Sequence, residues 1–284
     1  LPADVPTLAE LLARRGYRTG AFVSAFVLNR KFGLDRGFEI YDDELAGGAY
    51  VETELYRSRP GAAAVDAAIE WLTGNRRGRF FCWVHLFDPH VPYDPHAELW
   101  GTRFADQPYD AEIAYVDLQV DRLMQFLRET GRDRNTLIVI AGDHGEGLGE
   151  HNEPTHGYML YNTTMHVPLL IVRPGGTTEG MRVSEPVSLV DLAPTILDLL
   201  GGLSDGEFSG RSLAPLLDNA GFEDRACWGE TELPLRGHGW SPQQMLVARP
   251  WKFIRSAKSE LYNVADDPRE LTNALSAGAG VAQD

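Results

Sequence analysis

Three short apolar runs, each followed by polar residues and glycines and separated by segments of helical periodicity, leave this chain few architectures. Phe80–Phe87, Thr136–Ala141 and Pro168–Val172 are apolar at successive positions, so each offers apolar side chains to both faces of a sheet. Strands of that kind suit the middle of a parallel sheet covered by helices on both sides. The helical segments fit. Thr7-Leu8-Ala9-Glu10 has the capping-box spacing, and Leu8, Leu11 and Leu12 follow at helical intervals, which predicts a helix over 7–16 that ends at Gly16. Tyr17–Val27 reads as a strand entering a loop. Ala62–Leu72 and Ala111–Leu127 are predicted helices, the second opening after Asp110, and Ser188–Leu200 is a third with its own capping-box start. Past Gly210 the runs Ala226–Glu230, Gln244–Ala248, Trp251–Ser256 and Glu260–Asn263 are short and joined by tight connections. The expectation is an α/β fold, an α/β/α sandwich with a mostly parallel central sheet over residues 1–210, and a small antiparallel subdomain over 211–284.

A chain of 284 residues, 43% of them hydrophobic, can bury a substantial core. No stretch approaches the roughly 18–20 uninterrupted apolar residues of a membrane span. The net charge of −15 repels phosphate backbones, so nucleic acid is not an expected partner. An acidic protein that handles an anionic ester needs a local cation, and a bound metal ion can be one. The two cysteines, Cys82 and Cys227, cannot build a disulfide framework and read as small core residues.

In open α/β sheets ligands collect beyond the carboxyl ends of strands, so the loops after the apolar runs hold the candidate site. Phe80–Phe87 is followed by Asp88-Pro89-His90-Val91-Pro92-Tyr93. Thr136–Ala141 is followed by Gly142-Asp143-His144-Gly145-Glu146-Gly147-Leu148-Gly149-Glu150-His151, with His156 shortly after. Four of the eight histidines lie in these two loops. Asp143 and His144 offer a carboxylate oxygen and an imidazole nitrogen, flanked by glycines that let the backbone approach a ligand. They make half of a divalent-metal site, since hard cations take six or more ligands. Glu150 and His151 read either as supports of those ligands or as a solvated loop face. His85 alternates with Phe81, Trp83 and Phe87 and reads as a packed histidine. His238 and Trp240 read as an ordinary loop that could line a substrate mouth.

The segments DHGEGLGEH, THGYMLYNTTMHVPLLIVRPG, FDPHVPY, VSLVDLAPTILDLLG and WKFIRSAKSELYNVADDPRELTN together resemble, in order and spacing, the second half of a sulfatase of the alkaline-phosphatase superfamily. The resemblance covers nearly the whole chain. It implies an alkaline-phosphatase-like α/β/α domain that binds one metal ion, usually calcium, with manganese or zinc as alternatives. It matches Asp143 and His144 to the later pair of metal ligands. It matches His90 to the histidine that contacts the ester's sulfate, and His156 to the position where many members carry a lysine that touches the sulfate or the leaving oxygen. It further implies a small-molecule or glycan ester as substrate and a periplasmic or extracellular location.

Two departures matter. The paired aspartates of the first strand and the nucleophile motif, Cys-x-Pro-Ser-Arg or a Ser/Thr counterpart, would lie upstream of Leu1, so residues 1–284 alone are expected not to turn over. Histidine in place of lysine at 156 exchanges a permanent cation for a group that can give up and regain a proton near neutrality. The expected chemistry is therefore metal-dependent hydrolysis of a sulfate ester, with a phosphodiesterase or phosphonate hydrolase as the rival within enzymes. A non-catalytic fragment or binding module is the rival outside them.

Overall fold

The computed structural model describes residues 2, 4–45, 57–75, 78–175, 180–202, 208–218, 220–221 and 225–276. It divides into two compact units, Leu1–Asn135 and Thr136–Asp284.

The first unit is built on a parallel three-stranded sheet. Thr7 caps the helix α1 (Leu8–Ala13) as the spacing predicts: its hydroxyl accepts the Glu10 amide, and the Glu10 carboxylate accepts the Thr7 amide. Strand β1 (Arg18–Phe22) follows, flanked by β2 (Ile40–Asp42) and β3 (Phe80–Val84) in the order β2-β1-β3. Register pairs Ala21 with both Tyr41 and Trp83, and Phe22 with Val84. Alternation along β1 then divides the core. Phe22, Cys82 and Val84 pack on Ala64 and Ala68 of helix α2 (Gly61–Gly74), while Ala21, Val23, Tyr41 and Trp83 pack on the other side with Leu28 and Phe38. Gly20 is needed here, because a Cβ would sit 3.0 Å from the Trp71 ring of α2. Burial pushes the Cys82 thiol up to about 12, so it stays a protonated packing group as the sequence suggests. Beyond β3 come the short α3 (Ala97–Trp100) and the long α4 (Pro108–Glu129). The latter opens with Pro108 in the first turn, where the missing N–H costs nothing, and not after Asp110. It packs beside α2, joined by the Asp66–Arg122 ion pair.

The second unit corrects one expectation. Strands β4 (Ile138–Ala141) and β5 (Leu169–Val172) do form on their apolar runs, but they pair antiparallel, Ile138 opposite Val172 and Ala141 opposite Leu169. An unbroken apolar run reports burial on both faces and says nothing of strand direction. The consequence is a closed loop. The ladder ends where the Gly142 amide donates to the Pro168 carbonyl (3.1 Å), so residues 142–168 leave and return at the same strand end, with the short helix α5 (Asn162–Met165) on the way back. Ser188 forms its capping box with Asp191 and starts a 3-10 turn that leads into α6 (Leu192–Leu199). After α7 (Ala214–Leu217) the four short strands β6 (Cys227–Thr231), β7 (Gln243–Ala248), β8 (Trp251–Arg255) and β9 (Glu260–Asn263) form one antiparallel sheet in chain order. Between β6 and β7 lies α8 (Leu233–His238). Met245, Ile254 and Tyr262 of this sheet close over Leu160, Tyr161 and Met165, which anchors the closed loop on the sheet's apolar face. Among the described residues no helix is long and apolar enough to cross a membrane.

Candidate active site

The closed loop 142–168 carries Asp143, His144 and His156, and the structure brings these three together. The Asp143 carboxylate accepts the His144 amide through Oδ1 (3.0 Å), a tight turn that leaves Oδ2 pointing outward. The His144 Nδ1 lies 2.8 Å from the Gly145 carbonyl. A carbonyl can only accept, so in the neutral ring Nδ1 carries the proton and Nε2 the lone pair. That Nε2 lies 3.9 Å from Asp143 Oδ2, a spacing at which one cation can be shared, and Asp143 is well exposed. Tying the second ring nitrogen to a carbonyl is how a metal-binding imidazole is fixed in tautomer and orientation. The two residues therefore fit a divalent ion as a partial ligand set and leave further donors to be supplied.

The glycines around this pair serve a purpose the sequence reading missed. They admit the protein's own backbone, not a ligand: a Cβ on Gly145 would overlap the Thr163 carbonyl, and one on Gly147 would lie 2.5 Å from the Glu153 carbonyl. In the same places the Gly145 amide donates to the Thr164 carbonyl (2.7 Å) and the Gly147 amide to the Thr155 carbonyl (2.6 Å). The ascending and returning limbs of the loop are thus sealed to each other just behind Asp143 and His144.

His156 stacks on His144 with ring centroids 4.0 Å apart at 26°. Its Nδ1 donates to Oε1 of Glu146 (3.0 Å), whose side chain is only 4% exposed. Past it, the buried Glu153 accepts the Tyr158 and Met159 amides through Oε1 (2.7 and 3.1 Å), which fixes the turn that His156 sits on. Burial outweighs those bonds and holds the Glu153 carboxyl above the usual range. Neither glutamate was singled out from sequence. The available signal was two carboxylates inside a glycine- and histidine-rich loop, where a solvated face would have served as well. Glu150 and His151 fall on the other side of the question. Glu150 accepts the Leu148 amide, and His151 stacks on Tyr161 (3.6 Å, 10°) and donates to the Arg269 carbonyl (3.0 Å), so both shape the loop.

His90 belongs to the first unit, on the loop that leaves β3. Its amide donates to the Phe87 carbonyl (3.0 Å), its Nδ1 to the Val91 carbonyl (2.8 Å), and its ring stacks on Phe87 at 4.3 Å and 19°. The neighbouring Asp88 is structural: both its oxygens take the Gly61 amide (2.9 and 3.1 Å) at the start of α2, and burial raises its carboxyl. A second cluster on the same loop, Asp94, His96 and Glu98, is compact enough to suggest a cation. Both His96 nitrogens are engaged, however, Nδ1 with Glu98 (3.3 Å) and Nε2 with Glu112 (3.0 Å), so the imidazole already serves two carboxylates.

Comparison with known proteins shows the family and the fold. A family model described as Sulfatase matches residues 1–203, and one described as N-sulphoglucosamine sulphohydrolase, C-terminal, matches residues 149–280. Arylsulfatase K of Danio rerio is 35% identical over 187 residues, covering 62% of this chain and 35% of that protein. The match thus spans about a third of the length of the curated relatives. Among solved structures, the phosphonate monoester hydrolase of Agrobacterium radiobacter superposes with a TM-score of 0.72 at 20% identity, covering 100% of this chain and 78% of the other. BT4656, solved with its substrate D-glucosamine-2-N,6-O-disulfate, gives 0.74 at 19% identity and covers 100% and 80%. These likenesses show the fold: an α/β domain with a parallel sheet and helices, joined to an antiparallel C-terminal sheet.

Proposed function

The chain belongs to the sulfatase family, and from that premise we propose that residues 142–168 are the metal-binding and leaving-group side of a sulfate-ester hydrolase. One observation carries the reading. A single closed loop presents an Asp143 oxygen and a His144 lone pair 3.9 Å apart, with His156 stacked against the same imidazole.

In this reading Asp143 and His144 would hold one divalent ion. Calcium is the ion proposed, and manganese or zinc would also accept the nitrogen donor. Such an ion would supply positive charge for the sulfate oxygens, which an acidic chain otherwise lacks. The resemblance assigns His90, in the first unit, the contact to the ester's sulfate, and that role is carried here as a proposal. His156, its Nδ1–H tied to the buried Glu146, would give a proton carried on Nε2 to the departing alkoxide and be left as the neutral ring.

A sulfated sugar is the substrate class proposed. Tyr158, two residues beyond His156, lines a groove of about 350 Å³ together with Trp240, Gln243 and Lys258. Aromatic faces with a polar rim suit a pyranose ring. The test uses the full-length protein on matched sulfate and phosphonate monoesters. Faster turnover of the sulfate ester supports the reading; faster turnover of the phosphonate would replace it with the hydrolase class of the Agrobacterium structure.

A further inference from the structure

We propose that Glu112 acts through His96 as a positioning residue for His90, latching the loop that leaves β3 onto α4. The inference rests on the reading that His90 contacts the ester.

Residues 109, 112 and 115 of α4 are spaced by three and so share one face of the helix, and each holds the same loop. Tyr109 packs edge-on against Tyr93 (5.3 Å, 73°). Glu112 accepts the Asp94 amide through Oε1 (2.8 Å) and pairs with His96 Nε2 through Oε2 (3.0 Å), so one carboxylate grips the loop at two points. Tyr115 stacks flat on the His96 ring (4.3 Å, 10°). Glu112 is only 4% exposed, a placement that an ionisable group tolerates when its hydrogen bonds are made. His96 itself sits at φ 46°, ψ 52°, left-handed backbone that a non-glycine residue keeps only where its surroundings impose it.

At the other end of the loop, Asp88 grips the first amide of α2. His90 therefore lies between two carboxylate anchors, one on α2 and one on α4, and those helices are packed on each other. The charges close the argument. His96 is faced by Glu112 and Tyr115 of α4, Glu98 of α3, Asp94 of its own loop and Asp88 at the exit of β3. Burial works against its charged form, but the hydrogen bond and charge of Glu112, then Glu98 and Asp94, override it and raise the imidazole above its ordinary value. The contacts of the latch thus favour the protonated form of His96.

The experiment measures kcat/KM of the full-length protein on 4-nitrophenyl sulfate for Glu112→Gln, His96→Phe, His90→Ala and the Glu112→Gln/His90→Ala double variant. Imidazole NMR titration of His96 accompanies it. His96→Phe keeps a ring over Tyr115 while removing the bonds to Glu112 and to the exposed Glu98, so it guards against a Glu112 variant that fails to fold. Expected is a loss on the order of 100-fold for either single latch variant, the scale of a misplacement of about 1 Å. That loss should vanish in the His90→Ala background, and His96 should titrate lower in Glu112→Gln. Wild-type rates in both latch variants beside an impaired His90→Ala would overturn the latch, as would a loss fully additive with His90→Ala. A fully active His90→Ala would instead overturn the underlying reading of His90, and the positioning role with it.

Discussion

His156 is the residue whose role separates the chemical possibilities most sharply. As a proton donor to the leaving oxygen, it matters when that oxygen leaves as a basic alkoxide and hardly at all when it leaves as an activated phenolate. His156→Ala in the full-length protein should therefore slow alkyl sulfates about 100- to 10,000-fold more than 4-nitrophenyl sulfate. Steady-state rates on the two substrates check this, and equal losses on both would leave His156 as an anion-holding group only. Asp143 answers to a different readout. Asp143→Ala removes one of the two donors on the loop, so the affinity for calcium measured by calorimetry should fall by more than the about 10–100-fold typical of a supporting residue. Asp143 stood out in the sequence by its place after a strand among glycines, where a turn residue is the competing explanation, and His156 by the resemblance. Glu146 did not, since nothing in its sequence context distinguishes a buried partner of His156 from a solvated carboxylate.

At the scale of elements, the closed loop depends on glycine contacts that only the fold exposes. Gly145→Ala should cost about 1–3 kcal/mol, the usual range for forcing extra volume into a packed site, because the new methyl overlaps the Thr163 carbonyl. Urea unfolding measures it, and a variant as stable as the parent would show that the two limbs are not sealed there. The C-terminal sheet holds the loop by a second device. Lys252 on β8 and Glu270 form an ion pair of 2.7 Å with both side chains fully buried, and the same pair binds Asn162 at the start of α5. Burial lowers the Lys252 pKa even so. Lys252→Met should cost about 3–5 kcal/mol by stranding the Glu270 carboxylate, and pairing it with Glu270→Leu should recover much of that loss. The latch on α4 has a pH signature. Burial raises Glu112, and its partners raise His96, so both bind protons more tightly folded than unfolded. Their contribution is fully present below the unfolded values, and the histidine's share fades as pH rises from about 6.5 through its higher folded value. The stability gap between the parent and Glu112→Gln should narrow from pH 6 to pH 9, and a gap that widened would contradict the assignment. Among elements, the capping boxes at Thr7 and Ser188 and the four C-terminal strands were legible because their signals are local. The antiparallel pairing of β4 with β5 was not, because direction is fixed by where the chain returns.

For the whole molecule, the family and the fold were readable from a handful of motifs in register, while the supporting carboxylates were not. Motifs preserve the groups that face a ligand; Glu112, Glu146 and Glu153 face inward, and only packing reveals them. To act on an anionic ester, a chain with net charge −15 would have to concentrate positive charge at one place, and in the proposed reading that place is Asp143 and His144, which would hold a cation. The most direct test is sulfate release from an alkyl sulfate, followed by ion chromatography, in the full-length protein with and without Asp143→Ala. The account predicts calcium-dependent release by the parent and a loss of at least about 1,000-fold in the variant, the scale of removing a principal electrostatic stabiliser. Release by Asp143→Ala at the parent rate would contradict it.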